Sequence, residues 1–322
     1  MADVTRTTAE QAAANIRAGE LVAFPTETVY GLGADALNDV AVAKIFTAKG
    51  RPADHPLIVH IASTAQVSDY ASSIPIFAQA LIKAFWPGPL TVILPRKPGV
   101  ANAAAGGQNS IGLRCPAHPL ALEFLKQCAT GVAGPSANKF GRISPTTAEH
   151  VAHEFGGELM VLDGGPCTVG IESSIVDCTR AQPVLLRPGI LTREQLSAAC
   201  GQPVLSFDNT ASDAPRAPGT LQSHYAPSAK VRLMSAIAIQ TALDLLGADA
   251  AHIAVYARSI VRITSAKVLY RRMPDDALAT AEQLFAVLRD FDAQRVKLIW
   301  IEPVPEAADW DGVRDRLTRA AA

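Results

Sequence analysis

The sequence has 322 residues, of which 49% are hydrophobic and 18% are charged, and its net charge at pH 7 is −1. This length favours two domains over one, and the apolar content excludes a chain that is mainly disordered. The balanced charge argues against a protein that coats nucleic acid, because such binding depends on clustered Lys and Arg.

Short apolar runs alternate with helix-like segments through the first two hundred residues. A capping box at Thr7 and Glu10 predicts a first helix over residues 8–18. Strands are predicted at 21–24, 57–61, 90–94, 111–114 and 173–177, and further helices at 41–49, 76–85 and 119–129. The alternation predicts an α/β domain with a twisted sheet over residues 1–205.

The pattern changes after residue 205. Residues 206–229 are rich in Pro, Gly, Ser, Asp and Asn, which predicts a linker. Beyond it, four apolar runs alternate with helical segments at 236–246, 276–292 and 311–320. We therefore predict a second, smaller α/β domain over residues 230–322.

The cysteine spacing and the N-terminal sequence indicate the cellular compartment expected for the protein. The five cysteines contain no CxxC pair, which argues against a disulfide framework or a zinc ribbon. The first twenty residues lack the features of a signal peptide, and no run approaches 18 apolar residues. We expect a soluble cytoplasmic protein that does not bind membranes.

Several common catalytic motifs are absent. The sequence has no GxxxxGK[ST], and Gly31-Leu32-Gly33 lacks the third glycine of GxGxxG. Asn138 replaces the last glycine of a GxSxG nucleophile elbow, so a hydrolase using Ser136 is a weak alternative. His150 and His153 fit neither HExxH nor HxxEH, which predicts exposed helix residues and no metal site.

Polar residues between Gly and Pro mark the candidate site. Lys49 and Arg51 flank a glycine and suit a polyphosphate, although a solvated helix end is the simpler interpretation. His60 lies within the predicted strand 57–61 and could be a core histidine or a ligand-binding one. Arg114 ends a predicted strand, so burial would require an anionic partner, either a protein carboxylate or a ligand.

The loop Gly134-Pro135-Ser136-Ala137-Asn138 has the same ambiguity. Its hydroxyl and amide could form a turn, or they could donate hydrogen bonds to a ribose or a base. The candidate residues lie at predicted strand ends, where α/β proteins place their ligands. This placement favours the ligand-binding interpretation.

Together these motifs resemble the YrdC-like family, the threonylcarbamoyl-AMP synthases. The resemblance covers about residues 8–200, and the linker sequence PGTLQSHYAP with the domain after it resembles the long, two-domain form. The tail PEAADWDGVRDRLTRAA departs from the Gly-rich, Asn-containing stretch of the long forms. The motifs in order are PTETVYGLG, KGRP, PLIVHI, WPGPLT, GLRCP, GPSAN, SPT, ESSIVD and LLRPG.

The resemblance implies a fold and an activity. The fold would be a twisted mixed sheet with a concave active-site cavity, plus a smaller Rossmann-like C-terminal domain. The enzyme would condense L-threonine, bicarbonate or CO2, and ATP into threonylcarbamoyl-AMP, with Mg²⁺ held through the phosphates. A downstream transferase would then modify adenosine 37 of tRNA. The alternative to a synthase is a double-stranded-RNA or tRNA-binding protein without synthesis activity.

The resemblance also assigns residues by motif position. Lys49 and Arg51 would be catalytic and bind the triphosphate of ATP. The linker would fold back over the cavity as a lid. The other ATP-binding residues would be Ser110, Ser136, Asn138, Ser144, Arg187, His224 and Tyr225, and the threonine-binding residues would be Thr28, His60, Arg114 and Ser174.

Overall fold

The computed structural model describes residues 5–207, 215–219 and 225–322. In this part of the chain the first domain contains a mixed sheet of eleven strands, in the order β1-β8-β2-β3-β7-β4-β6-β5-β9-β10-β11. Its strands are β1 (Thr5–Arg6), β2 (Val22–Phe24), β3 (Gly31–Asp35), β4 (Ile58–His60), β5 (Leu90–Pro95), β6 (Ser110–Arg114), β7 (Val132–Ala133), β8 (Met160–Val161), β9 (Ser174–Asp177), β10 (Val184–Arg187) and β11 (Leu205–Ser206).

Helices cover this sheet. They are α1 (Ala9–Arg17), α2 (Asp39–Lys49), α3 (Val67–Tyr70), α4 (Ile76–Phe85), α5 (Pro119–Cys128), α6 (Ala148–Phe155) and α7 (Arg193–Cys200). The mixed α/β architecture predicted from the sequence is confirmed. Because β11 still pairs with β10, the first sheet extends one residue past the predicted boundary at 205.

Two helix ends explain local features of the sequence. The capping box of α1 is formed by Thr8 and Gln11, so the prediction of Thr7 and Glu10 was wrong by one residue. Both threonines are chemically able to cap a helix, and only the backbone decides which one does. Gly50 ends α2 in the left-handed region with φ 65°, which turns the chain between Lys49 and Arg51.

The second domain has a parallel sheet in the order β12-β15-β13-β14 among the described residues. The strands are β12 (Lys230–Leu233), β13 (Ile253–Ala257), β14 (Leu269–Arg272) and β15 (Leu298–Ile301), and the helices are α8 (Ala236–Leu246), α9 (Ala277–Ala293) and α10 (Asp311–Ala320). Helix α8 connects β12 to β13 and helix α9 connects β14 to β15, whereas the connection from β13 to β14, which is described throughout, contains no helix.

The two domains share an apolar interface. Val29, Ile143 and Ile171 of the first domain belong to the same buried cluster as Phe285 and Leu317 of α9 and α10. An interface continuous with a domain core favours a fixed arrangement of the domains. Within the described ranges, no helix combines the length and the apolar character needed to cross a bilayer.

The sheet brings the predicted site residues to one edge. His60 ends β4 and lies opposite Arg114, which ends the neighbouring parallel strand β6. Gly31, at the start of β3, bridges to Ser136 in the loop after β7. Arg187 ends β10 opposite Ile175 of the antiparallel strand β9. Ends of strands that run in both directions therefore surround one cavity.

Candidate active site

A cavity of about 40 Å³ lies at this edge of the sheet. Its wall combines cations, hydroxyls and backbone of the first domain with residues of the linker. The lining residues are Thr26, Val29, Gly31, Arg51, Ile58, His60, Arg114, Gly134, Pro135, Ser136, Glu172, Ser173, Arg187, Pro218, Gly219 and Tyr225. Six of the thirteen residues assigned from the sequence are therefore in the wall: Arg51, His60, Arg114, Ser136, Arg187 and Tyr225.

Arg51 and Arg187 in the wall and Lys49 behind the Ser136 loop are buried cations, with exposed fractions of 8%, 3% and 3%. In the described part of the chain they bond to neutral carbonyl groups and not to carboxylates. Lys49 Nζ donates to Ser136 O and Asn138 O, and one nitrogen of Arg51 donates to Pro56 O at 3.0 Å. Such cations are poised for an anionic ligand.

Arg187 ties the first domain to the linker. Its guanidinium donates to Ser173 O at 2.9 Å and to Pro218 O at 3.0 Å. The linker backbone approaches it closely, because a Cβ on Gly219 would lie 2.9 Å from a guanidinium nitrogen of Arg187. The linker therefore contributes directly to the cavity wall.

The pKa values of the cations reflect their crowding. Burial and then the neighbouring Arg51 lower the pKa of Lys49 well below its usual range. Burial, together with Arg187, lowers the pKa of Arg51 to about 10. Anion binding would offset both effects, because an opposite charge favours the protonated form.

The loop after β7 is held against the cations. Ser136 lines the cavity, and its carbonyl accepts from Lys49. Asn138 is behind the wall, where its Nδ2 donates to Lys139 O at 2.8 Å and to Arg142 O at 2.9 Å. The buried Oδ1 of Asn138 has no hydrogen-bond partner among the described residues. The Asn138 side chain thus fixes the loop.

The other end of the cavity is built around Arg114. Its NH2 forms a buried ion pair with Glu27 at 2.7 Å, and its NH1 donates to Thr28 Oγ1 at 2.8 Å. Thr28 also shares a 2.8 Å hydrogen bond with Thr26. Of the two anionic partners left open by the sequence, the structure shows the protein carboxylate.

His60 lies beside Arg114 with its ring edge against Phe24, at 5.3 Å between centroids. Burial, and then the positive charge of Arg114, lower the pKa of His60 to about 3. The imidazole is therefore neutral at physiological pH. Its buried Nδ1 lacks a hydrogen-bond partner in the described part of the chain, so it can serve a polar ligand group.

Three predicted serines are outside the wall of the main cavity. Ser110 borders a small adjacent pocket with Ile58 and Pro218. Ser144 is fully buried, and its hydroxyl donates to Glu172 Oε1. Ser174 is also buried, donating to Leu191 O at 3.3 Å and accepting from the Gly189 N–H at 3.0 Å. Ser144 and Ser174 therefore support wall residues in this geometry.

The linker residue Tyr225 is 1% exposed and has φ 62°. Its ring packs on Phe285 of α9, with centroids 5.5 Å apart. Burial, followed by the nearby Glu172, raises the pKa of Tyr225 to about 12. His224, assigned to ATP from the sequence, lies outside the described residues.

Sequence reasoning missed the two carboxylates of the site, Glu27 and Glu172. Glu172 lines the cavity, while Glu27 pairs with Arg114. Both stood in quoted motifs, and a signal was available because carboxylates inside buried strand-end motifs require cationic partners. Among the described residues, no group of three His, Cys, Asp or Glu side chains could hold a metal ion.

The fold and the cavity define an α/β protein with a cavity at strand ends that is lined by buried cations. Residues 14–189 match the Sua5/YciO/YrdC family model, which is described as "Telomere recombination". Residues 191–322 match the model described as "Threonylcarbamoyl-AMP synthase, C-terminal domain". The chain belongs to this family, in its two-domain form.

Individual relatives extend this similarity over nearly the whole chain. A threonylcarbamoyl-AMP synthase of Bacillus subtilis (strain 168) is 41% identical over 322 residues, covering 97% of this chain and 92% of its own length. The crystal structure of Pyrococcus abyssi Sua5 complexed with L-threonine matches with a TM-score of 0.88 at 40% identity, covering 97% of this chain and 94% of that one.

A variant of P. abyssi Sua5, in which an adjacent His and Tyr are replaced by alanine, matches with a TM-score of 0.90. It is 37% identical and covers 100% of this chain and 96% of that one. The predicted fold and family are therefore confirmed by both sequence and structure.

Proposed function

We propose that this cavity forms L-threonylcarbamoyl-AMP from L-threonine, bicarbonate or CO2, and ATP, with release of pyrophosphate. One observation carries the assignment of the site: three buried cations with neutral partners lie beside a second polar end built from Arg114 and His60. A cavity with these two ends suits a triphosphate and an amino acid.

The cationic end would bind ATP. Arg51 and Arg187 face the triphosphate, and Lys49 holds the loop 136–138 while adding positive charge. Ser136 can donate its hydroxyl to the nucleotide. Ser110 borders the small adjacent pocket together with Pro218 of the linker, and it would contact the nucleotide once the linker has moved outward.

The other end would bind threonine. Arg114 attracts its carboxylate, and the neutral His60 offers Nδ1 to its amine or hydroxyl. Thr28 and Ser174 support this end from behind, because Thr28 bonds to Arg114 and Ser174 anchors the backbone of Gly189.

The reaction needs no protein nucleophile. The amine of threonine combines with CO2 to form a carbamate and releases a proton; with bicarbonate, water is released instead. A carbamate oxygen then attacks the α-phosphorus of ATP in line, and the bond to pyrophosphate breaks. The residues bring two anions together and offset the developing negative charge.

Magnesium would enter with the phosphates of ATP. The carboxylate that lines the described cavity, Glu172, is already bonded to Arg316 and Ser144. This fits an ion that keeps mostly water ligands and is held by phosphate oxygens. When bound, the ion would neutralise phosphate charge alongside Arg51 and Arg187.

The product is a mixed anhydride that a group-transfer reaction must consume. We propose that a transferase machinery acting on adenosine 37 of tRNA takes it up in the cytoplasm. Direct contact of this chain with tRNA would be a separate, weaker property, to be measured by gel shift over a range of salt concentrations.

A pyrophosphate-release assay tests the function. Purified protein should release pyrophosphate with ATP, threonine and bicarbonate together, and release should fall to background when any one of the three is omitted. Mass spectrometry should detect threonylcarbamoyl-AMP. Release that does not require threonine would refute the proposal, and tRNA binding without synthesis would favour the RNA-binding alternative.

The linker offers a further prediction. The cavity of about 40 Å³ has room for a few water molecules, so ATP binding requires Pro218 and Gly219 to move outward and then close again. Gly219→Ala should raise the KM for ATP by about 10-fold or more, because its Cβ would lie 2.3 Å from Tyr225 Oη, at φ 78°.

Gly201→Ala is the matched control for Gly219→Ala. Gly201 has a similar φ of 74°, but nothing lies within 4 Å of an added Cβ. Both variants carry the same backbone penalty, and only one obstructs the cavity. Equal KM values for ATP in the two variants would mean that the linker is a simple connector.

A further inference from the structure

We propose that Arg316, on helix α10 of the C-terminal domain, is a positioning residue for the ATP-binding end of the cavity. It acts through Glu172 on Ser144. The proposal rests on the proposed function for the assignment of Arg51 and Arg187 to the triphosphate of ATP. It gives the C-terminal domain a defined part in synthesis, although the site lies in the first domain.

Arg316 is among the most completely buried side chains of the described residues, at 1% exposure. Its Nε donates to Glu172 Oε2 at 2.8 Å, and its NH2 donates to Glu172 O at 3.1 Å. Its NH1 donates to Pro188 O at 2.8 Å. One guanidinium from the second domain thus holds a side chain and two backbone segments of the first.

Glu172 passes this constraint into the cavity. It lines the cavity and accepts a hydrogen bond from Ser144 through its other carboxylate oxygen. Burial alone would raise its pKa, but Arg316 and Arg187 outweigh burial and lower it. Without Arg316, the carboxylate would be partly uncompensated, and the charge of Arg187, which already acts on Glu172, would be drawn toward it.

Such a shift would matter for ATP. Arg187 now bonds to Ser173 and Pro218 and lines the cavity wall. Drawing it toward Glu172 would remove positive charge from the proposed triphosphate site. Freeing Ser144 from Glu172 would also let its hydroxyl leave the position from which it supports the wall.

A second arginine holds the same loop from α9. Arg289 Nε donates to Ser144 O at 3.3 Å, its NH2 donates to Ile143 O, and its NH1 pairs with Glu154 at 3.1 Å. The backbone and the hydroxyl of Ser144 are therefore both fixed from the C-terminal domain, by two different helices.

Two glycines make this contact close. A Cβ on Gly312 of α10 would lie 2.4 Å from Gly189 O, and one on Gly170 would lie 2.3 Å from Glu282 O of α9. The helix backbones therefore pack directly on the segments that carry Glu172 and Arg187. Arg316 follows Gly312 by about one helical turn, which places its guanidinium at Glu172.

The same helix also binds Tyr225. The Arg316 guanidinium carbon lies 5.2 Å from the centre of the Tyr225 ring. Arg316 therefore contacts Glu172 in the cavity wall and Tyr225 of the linker, as well as the carbonyl of Pro188. One side chain thus holds three segments around the proposed ATP site.

Steady-state kinetics of the full chain test the proposal. Arg316→Gln should raise the KM for ATP by about 10-fold or more and leave the KM for threonine within about 3-fold. The reason is that Arg187 and Ser144, the groups it would displace, belong to the ATP-binding end of the cavity. Arg314→Gln is the control, since it also removes a cation from α10. Arg314 pairs with Asp311 and donates to the carbonyl of Pro305, and it does not line the cavity. The Arg314→Gln variant should match the wild type.

A double-mutant cycle tests the route through Ser144. In a Ser144→Ala background, Arg316→Gln should raise the KM for ATP by less than it does in the wild type, and the increase that remains measures the displacement of Arg187. Arg316→Lys, which keeps the positive charge but lacks the planar guanidinium with its several donors, should fold and recover part of the ATP affinity. This variant keeps the test decisive if Arg316→Gln unfolds.

The outcomes separate the two proposals. If the wild type and Arg314→Gln both fail to release pyrophosphate, the proposed function is wrong. If they are active and Arg316→Gln and Arg316→Lys raise both KM values equally, or only lower the melting temperature, Arg316 is merely structural. Strict additivity in the cycle would also overturn the route through Ser144.

Discussion

Replacing Arg51 by Met should lower kcat/KM for ATP by about 10²- to 10³-fold, the scale of losing one preorganised charged donor at a transition state. Arg51 is 8% exposed, lines the cavity, and has one carbonyl partner, Pro56. Its buried Nε has no hydrogen-bond partner among the described residues. Such a donor is available to phosphate oxygens.

The fork of Arg51 should matter as well as its charge. Arg51→Lys should recover only part of the activity, because an ammonium cannot bind two phosphate oxygens in the planar arrangement of a guanidinium. Lys44→Met is the control: Lys44 lies on the same helix, α2, and pairs with Glu20 at the surface. Wild-type kinetics in Arg51→Met, with its fold confirmed by circular dichroism, would exclude a phosphate-binding role.

Local patterns explain how much of the fold could be predicted. The helices 76–85, 236–246 and 311–320 have the predicted bounds, because apolar spacing and capping residues are properties of short segments. The strand β3 was not predicted. Its sequence, GLGAD, has two glycines and little strand propensity, and it forms because Phe24 and Val132 pack where side chains at Gly31 and Gly33 would be.

The site was predictable in its residue types and less so in its contacts. Lys49, Arg51 and Arg187 were assigned through the resemblance of the motifs KGRP and LLRPG to the family, with the charged pair around Gly50 as supporting evidence. Their partners could not be read from the sequence. Glu172 and Arg316 are 144 positions apart, and only the packing of α10 on the first domain brings them together.

Ser144 shows the same limit. Its motif placed it near the nucleotide, whereas the structure shows its hydroxyl on Glu172. A motif identifies a position that the reaction needs, but it does not distinguish direct contact with a ligand from support of a neighbouring group. Asn138 and Thr28 are also held by protein groups behind the wall, which geometry alone reveals.

The pair formed by Glu27 and Arg114 leads to the other large expected effect. The two side chains are 8% and 4% exposed, and their charged atoms are 2.7 Å apart. Arg114→Met should lower the free energy of unfolding by about 3–5 kcal/mol, because it leaves a buried carboxylate without its cation. Stability loss alone could therefore hide any role of Arg114 in binding threonine.

Removing both charges separates stability from binding. Glu27→Gln combined with Arg114→Met should regain most of the lost free energy of unfolding, measured in urea, since no uncompensated buried charge remains. Threonine affinity should stay about 30-fold or more below that of the wild type in both variants, because the cation for its carboxylate is missing in each. ATP affinity should change little, since Arg51 and Arg187, the wall residues proposed to bind the triphosphate, keep their contacts in both variants. Calorimetry with each ligand measures these affinities. If the double variant bound threonine as tightly as the wild type, Arg114 would serve only to neutralise Glu27, and threonine would have to be recognised by His60 and its neighbours.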